Sequence, residues 1–189
     1  MTTVDAMGYR FRTARPEDTE AIETLDGSFT AHTMFRVAVT TDGFAVREVP
    51  VAPPIHKVFP PDDGDDESGP TAAENPNFRS VVAVDAGGCL AGYIVVSYAP
   101  WNRRLTIADV AVAPAHRGRG VGRALMGHAA AFAHERGAVH IWLEVTNINA
   151  PAIHAYQRMG FTFCGLDTAL YEGTPSSGEQ ALYMSMPCL

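Results

Sequence analysis

The sequence predicts a single α/β domain built on a mostly antiparallel sheet. Three observations carry that prediction. Short apolar runs alternate with turn residues, as in Arg79 to Val84 and Leu90 to Tyr98 around Asp85-Ala86-Gly87-Gly88. The order strand, glycine-rich loop, helix, strand occurs once, from Leu105 to Val145, and calls for one parallel crossover in a sheet that otherwise meanders. The 189 residues are 47% apolar and 19% charged, enough to fill one sizeable core.

The elements follow in order. Tyr9-Arg10-Phe11-Arg12 alternates apolar and basic residues like a half-buried strand, and Pro16 opens a helix in which Ala21, Ile22 and Leu25 share a face. Met34 to Val39 and Phe44 to Val49 flank Thr41-Asp42-Gly43, a hairpin signal. After the two strands around Gly87, Leu105 to Val112 forms another strand, and Pro114 ends its pairing. Val121, Ala124, Leu125, His128 and Phe132 trace one face of a helix that stops near Gly137. Val139 to Val145 is a strand, Pro151 begins a further helix with Ile153, Ala155, Tyr156 and Met159, and Phe161 to Cys164 and Ala181 to Met186 supply the last strands.

Charge narrows the function classes. The net charge is −7, but Asp62, Asp63, Asp65, Asp66 and Glu67 account for most of it. Without a basic excess the chain does not fit nonspecific nucleic-acid binding. The acids sit within 60–77, a stretch too polar to offset the entropy of ordering, and it is expected as a flexible surface loop. No window approaches the eighteen or so apolar residues of a membrane span and no secretory signal opens the chain, so a cytoplasmic location is expected. Cys89, Cys164 and Cys188 lie far apart with no CxxC spacing and read as buried free thiols. His128 and His134 share a helix but stand about 240° apart around it, which argues against a metal site.

The chemistry concentrates in Arg117-Gly118-Arg119-Gly120-Val121-Gly122, followed by Arg123. Glycines just before a helix let backbone N–H groups approach a pyrophosphate at the positive end of the helix dipole. The three arginines add charge. A P-loop needs GxxxxGK with Ser or Thr, and a dinucleotide fingerprint needs GxGxxG, whereas the sixth position from Gly118 is Arg123. Neither fits; a compact dianion such as a coenzyme A pyrophosphate is the expected ligand, and a glycine-rich turn with no ligand is the alternative.

These residues resemble the cofactor motif of the GNAT superfamily of N-acetyltransferases: Arg or Gln, two residues, Gly, one residue, Gly or Ala, occupied by Arg117, Gly120 and Gly122. The resemblance extends to the strand Leu105 to Val112, to Asn147 through Ala152, and to Ala155 through Phe161. It is closer still to the superfamily's streptothricin acetyltransferases, through Leu25-Asp26-Gly27-Ser28-Phe29, Asp42-Gly43-Phe44, Trp101-Asn102, Leu143 to Asn147, Gly165-Leu166-Asp167 and Ala169-Leu170-Tyr171. The resemblance implies a GNAT-like α+β fold, with a central mixed, mostly antiparallel sheet of about seven strands and helices on both faces. It implies acetyl-CoA as cosubstrate, no metal, and the β-lysine amine of streptothricin as acceptor. A protein N-terminus or lysine as acceptor, and a noncatalytic acyl-CoA sensor, are the alternatives. Such enzymes are often homodimers, and the final strand Ala181 to Met186 is a candidate to join an interface.

Roles follow on the same footing. Val110, Ala111 and Val112 would flank the cofactor, with the Val110 N–H as oxyanion donor. Tyr156 would protonate the leaving thiolate; a core tyrosine with a bonded hydroxyl is the lesser alternative. An aliphatic amine with a pKa of about 10.4 must lose a proton before attack, and Asp109 and Glu144 are the candidate bases. Asp109 also reads as a satisfied strand-end residue, and Glu144 as a carboxylate that only binds the ammonium. Asp26, Trp101 and Asp167 are weaker substrate-side candidates. Asn149 caps the following helix or contacts the pantetheine.

Overall fold

The computed structural model describes residues 3–4, 8–59 and 75–188. Most of the acidic stretch expected as a loop over 60–77 therefore lies outside the described residues. In chain order the strands are β1 (Thr3–Val4), β2 (Arg10–Thr13), β3 (Phe29–Thr40), β4 (Gly43–Lys57), β5 (Phe78–Val84), β6 (Leu90–Ala99), β7 (Arg104–Val112), β8 (His140–Thr146), β9 (Thr162–Asp167) and β10 (Ala181–Pro187). The helices are α1 (Thr19–Glu23), α2 (Val121–Arg136) and α3 (Ala150–Arg158). The chain divides into two compact units, one from Met1–Gly27, Pro60–Trp142 and Pro187–Leu189, the other from Ser28–Phe59 and Leu143–Met186.

In the first unit β1, β2, β5, β6 and β7 are neighbours in that order, and all their pairings are antiparallel. The pleat sends successive side chains to opposite faces, and each face of β5 has its own cover. Val82 and Val84 cluster with Tyr93, Val95, Ile22 and Leu25, so α1 lies on that side. On the other side Arg79 ion-pairs with Glu135 and stacks over Phe132 of α2, and Phe11, the partner of Ala83, stacks on His128. Helices therefore cover both faces, as expected.

The start of α1 differs from the sequence expectation. Pro16–Asp18 is a 3-10 turn and α1 itself has only five residues. Asp18 explains the tight turn: its carboxylate accepts from the Arg15 N–H at 2.8 Å and from two Arg12 nitrogens at 2.6 and 2.8 Å. These bonds hold the chain in a cap before an α-helical turn can form.

In the second unit β3 and β4 form a hairpin longer than the sequence suggested, running to Lys57 through Pro50, Pro53 and Pro54. Prolines read as the end of a strand. In a two-stranded ribbon they are tolerated, because among the described residues the second edge of β4 donates to no neighbouring strand. α3 packs on β3, and β10 lies between β8 and β9, pairing antiparallel with β9. With strands on both sides, β10 has no open edge for the intermolecular pairing the sequence allowed it.

Asn147, only 2% exposed, ties this unit together. Its N–H donates to the Gln180 carbonyl and its carbonyl accepts from the Phe35 N–H, both at 2.8 Å. Its side chain donates to the Phe35 carbonyl and accepts from the Gln180 N–H, both at 2.9 Å. A buried amide this completely satisfied specifies one arrangement of three segments.

Candidate active site

The loop opening α2 takes a backbone path that glycine favours. Gly118 and Gly120 sit at φ +72° and +86°, a left-handed region that costs other residues about 1–2 kcal/mol. Space beside both is open: an added Cβ would meet no atom within 4 Å. Gly120 is the N-cap of the 16-residue α2, and no side chain caps that end. The first amides of such a helix have no intrahelical acceptor and face outward with the positive end of the dipole. Gly120, Arg119 and Arg123 are exposed while Val121 is buried against the core, so the loop is anchored on one side and open on the other. This donor set fits a coenzyme A pyrophosphate. The three arginines are not equivalent, because Arg117 turns back and its Nε donates to the Val112 carbonyl at 2.9 Å. It closes the base of the loop.

β7 delivers the chain to that loop with two irregularities. Val95 pairs with Asp109 but Val96 pairs with Ile107, so Ala108 is an extra residue that re-aims the strand beyond it. Further on, the Ala113 N–H donates to the Ala91 carbonyl at 3.0 Å, which sets the alternation of the ladder. Counting back by two, Ala111 faces β6 while the amides of Val110 and Val112 point away from it. The Val110 N–H therefore takes no part in the β6 ladder. Gly92 allows this path, since a Cβ there would stand 2.7 Å from the Ala111 carbonyl oxygen. Asp109 is exposed, and the buried Tyr93 donates its hydroxyl to it at 2.5 Å.

On β8, in the second unit, Glu144 accepts a short hydrogen bond from the Tyr171 hydroxyl. Its pKa is raised above the ordinary 4.5, first by desolvation and further by the nearby Glu179, while the Tyr171 bond pulls the other way. A carboxyl tuned upward is a better proton acceptor near neutral pH than a fully solvated one. Tyr171 is itself held strongly in its protonated form, by burial first and then by its bond to Glu144, so it is a donor and not a base. Asp167, at the end of β9, accepts from the Ala169 N–H at 2.8 Å. The pKa of Tyr183 is raised, first by desolvation and then by Asp167 and Glu144.

The remaining expected residues are distributed more widely. Tyr156 is half-buried on α3, its ring 5.8 Å from that of Phe161. Asn149 is the N-cap of α3, accepting from the Ala152 N–H at 3.2 Å, which settles its capping role. Asp26 is exposed just after α1. Trp101 is 85% exposed in the turn before β7, at the end of that strand opposite the loop, and the structure does not group it with the other candidates. The thiols correct a sequence expectation: Cys89 and Cys164 are exposed and Cys188 is half-buried, because each falls in a turn, on an outward strand face or near the terminus. Among the described residues no group of three His, Cys, Asp or Glu side chains could hold a metal ion.

Sequence reasoning missed Lys57, Glu179, Asn147 and the bond from Tyr171 to Glu144. Tyr171 and Asn147 lay within the stretches that carried the family resemblance, which was the available signal. Nothing local marked Lys57 or Glu179.

Comparison with known proteins identifies the family. The model of the acetyltransferase (GNAT) family matches residues 49–161. The chain is 65% identical over 188 residues, the full length of both proteins, to a streptothricin acetyltransferase of Streptomyces lavendulae. Its fold superposes on the crystal structure of nourseothricin acetyltransferase with a TM-score of 0.88 and 64% identity, covering 96% of this chain and 99% of that one. A Bacillus anthracis protein solved in complex with acetyl coenzyme A gives a TM-score of 0.77 and 25% identity, covering 97% and 99%. The chain belongs to the acetyltransferase (GNAT) family.

Proposed function

We propose that the chain is an acetyl-CoA-dependent N-acetyltransferase that inactivates streptothricin by acetylating its β-lysine amine, working as one domain in the cytoplasm. One observation carries the reading. The left-handed Gly118 and Gly120 open an uncapped helix N-terminus in a chain 65% identical, end to end, to a streptothricin acetyltransferase. The first part of that observation supports the acetyl donor, and the second supports the acceptor.

In this reading Gly118 through Arg123 receive the pyrophosphate, and Val110 through Val112 lie along the pantetheine, where Asn149 adds a contact. Glu144, directly or through one water, takes the proton from the substrate ammonium; Asp109 is the second carboxylate available for that step. The amine nitrogen then attacks the thioester carbonyl carbon, and the Val110 N–H stabilises the oxyanion. Collapse breaks the carbon–sulfur bond, Tyr156 protonates the departing thiolate, the second proton of the attacking nitrogen returns to the tyrosinate directly or through water, and the products are the acetamide and free coenzyme A. Asp26 and Asp167 serve the other polar groups of the antibiotic, and Trp101, at the far end of β7, takes no part. Should the protein dimerise, the outer edge of β9 is the better strand for the contact, since β10 is enclosed.

The test is thiol release from acetyl-CoA with streptothricin, with a lysine-rich peptide, or with no acceptor. Streptothricin is expected to stimulate release far above the other two. Release no greater than the blank would overturn the assignment, and preference for the peptide would reassign the acceptor to protein.

A further inference from the structure

We infer that Lys57 is a positioning residue of the acceptor site: by neutralising Glu179 inside the fold, it leaves Glu144 as the carboxylate that meets the substrate ammonium. The inference rests on the role proposed above for Glu144. Lys57 is the single lysine of the chain and stands at the end of β4. Its Nζ donates to the Glu179 carboxylate in a short ion pair and to Ser176 Oγ at 2.8 Å. Both partners of the pair are only 13% exposed. The second oxygen of Glu179 is also occupied, accepting from Thr146 Oγ1 at 2.6 Å. Glu179 is therefore fully committed, one oxygen to a cation and the other to a hydroxyl.

Glu144 is placed differently. It lies two residues before Thr146 on β8, so both side chains leave the same face of the strand, towards the same neighbours. Its recorded partner among the described residues is the neutral Tyr171 hydroxyl, with no cation paired to it. The titratable groups that act on this region are Tyr171 and Glu179 from the segment after β9, Tyr183 from β10 and Asp167 from β9, all neutral or acidic. Two uncompensated carboxylates in a partly dehydrated region repel, and one of them takes up a proton as the pH falls towards neutrality. Lys57 limits this by pairing with Glu179, so only a residual push from Glu179 reaches Glu144, which is left open to a cation from solution. The acceptor site is thereby matched to one ammonium at a time, although it contains two glutamates.

The experiment measures kcat/KM for streptothricin from pH 5 to 9 in Lys57→Met, Lys57→Arg, Glu179→Gln and the double variant Lys57→Met/Glu179→Gln, with Glu144→Gln as reference. In Lys57→Met the freed Glu179 anion is expected to move the acid limb to higher pH, a loss that deepens as the pH falls and fades on the alkaline side, where both forms are fully ionised. Lys57→Arg and the double variant are expected to bring the limb back, and Glu179→Gln alone to move it slightly lower. The KM for acetyl-CoA is expected to stay constant throughout. A purely structural clamp would lower activity equally at every pH and would not be rescued by Glu179→Gln; that result overturns the inference. If Lys57→Met fails to fold, Glu179→Gln decides alone, and an unmoved acid limb there also overturns it. Retention of full activity and an unchanged limb in Glu144→Gln would instead show that the role of Glu144 itself is wrong.

Discussion

Substituting Gly120 with alanine tests the donor half of the site at a single backbone torsion. Gly120 has φ +86°, and an added Cβ would touch nothing within 4 Å, so the substitution introduces no steric clash and isolates the conformational cost. For an L-residue in the left-handed region that cost is about 1–2 kcal/mol, from which the reduced entropy of the unfolded chain returns roughly 0.4–1 kcal/mol in stability. Two responses are available. If the loop keeps its shape, the protein loses about 1 kcal/mol of stability and acetyl-CoA binding is unaffected. If the loop relaxes, the first amides of α2 turn away from the phosphates, and affinity falls by the strain released, about five- to thirtyfold. The exposed and uncapped loop has little packing to oppose relaxation, so the second response is expected. Calorimetric titration with acetyl-CoA, alongside a thermal melt, separates the two. The expected pattern is weaker acetyl-CoA binding, an unchanged KM for streptothricin, and kcat within about twofold at saturation. Gly127→Ala is the control: it lies within α2 with open space around it, and should stabilise by about 0.8–1 kcal/mol without changing affinity. Equal acetyl-CoA affinity in Gly120→Ala, wild type and control, without the stability loss that marks a loop held in its shape, would refute the assignment of the pyrophosphate to these amides.

Four further outcomes are expected. Tyr156→Phe should lower kcat while leaving acetyl-CoA affinity nearly intact; unchanged turnover would mean that water or another group protonates the thiolate. Gly92→Ala would place a Cβ 2.7 Å from the Ala111 carbonyl oxygen, which is backbone and cannot swing aside. A stability loss of about 1–3 kcal/mol with a raised acetyl-CoA KM should follow, read by a thermal melt and initial rates. Asn147→Ala leaves the Phe35 carbonyl and the Gln180 N–H without their side-chain partner in a buried position, and denaturant titration should report a loss of about 2–4 kcal/mol. The pKa of Asp18 is depressed below its ordinary 3.8, first by the Arg12 hydrogen bond. Its stabilisation is therefore complete above that value and is lost as the pH falls through the lower, folded one. Acid unfolding of Arg12→Met followed by circular dichroism should show a shallower loss over that window than wild type, and identical slopes would count against the pair.

Much of the fold was legible because hydrophobic period and turn residues act over short distances. The boundaries of α2 are an example: Gly120 and Gly137 bracket it in left-handed conformations that the sequence signals directly. The hairpin was read too short, because Pro50, Pro53 and Pro54 look like strand breakers until it is known that β4 pairs along one edge only. The cysteines were misplaced for a related reason. Composition says that free thiols are usually buried, but which side of a strand faces water is settled by packing.

The sequence by itself determined the donor end of the chemistry. A pyrophosphate is held by consecutive backbone amides, and their conformation is dictated by glycines within six residues of one another. The acceptor end belongs to tertiary structure. Lys57 reaches Glu179 across 122 positions, Asn147 reaches Phe35 across 112, and Tyr171 reaches Glu144 across 27. The state of a carboxylate depends on what burial removes and which charges remain beside it, and no local pattern encodes either. The sequence could name Glu144 as a candidate base; only the fold shows its raised pKa, its tyrosine partner and the neighbouring glutamate held by a lysine.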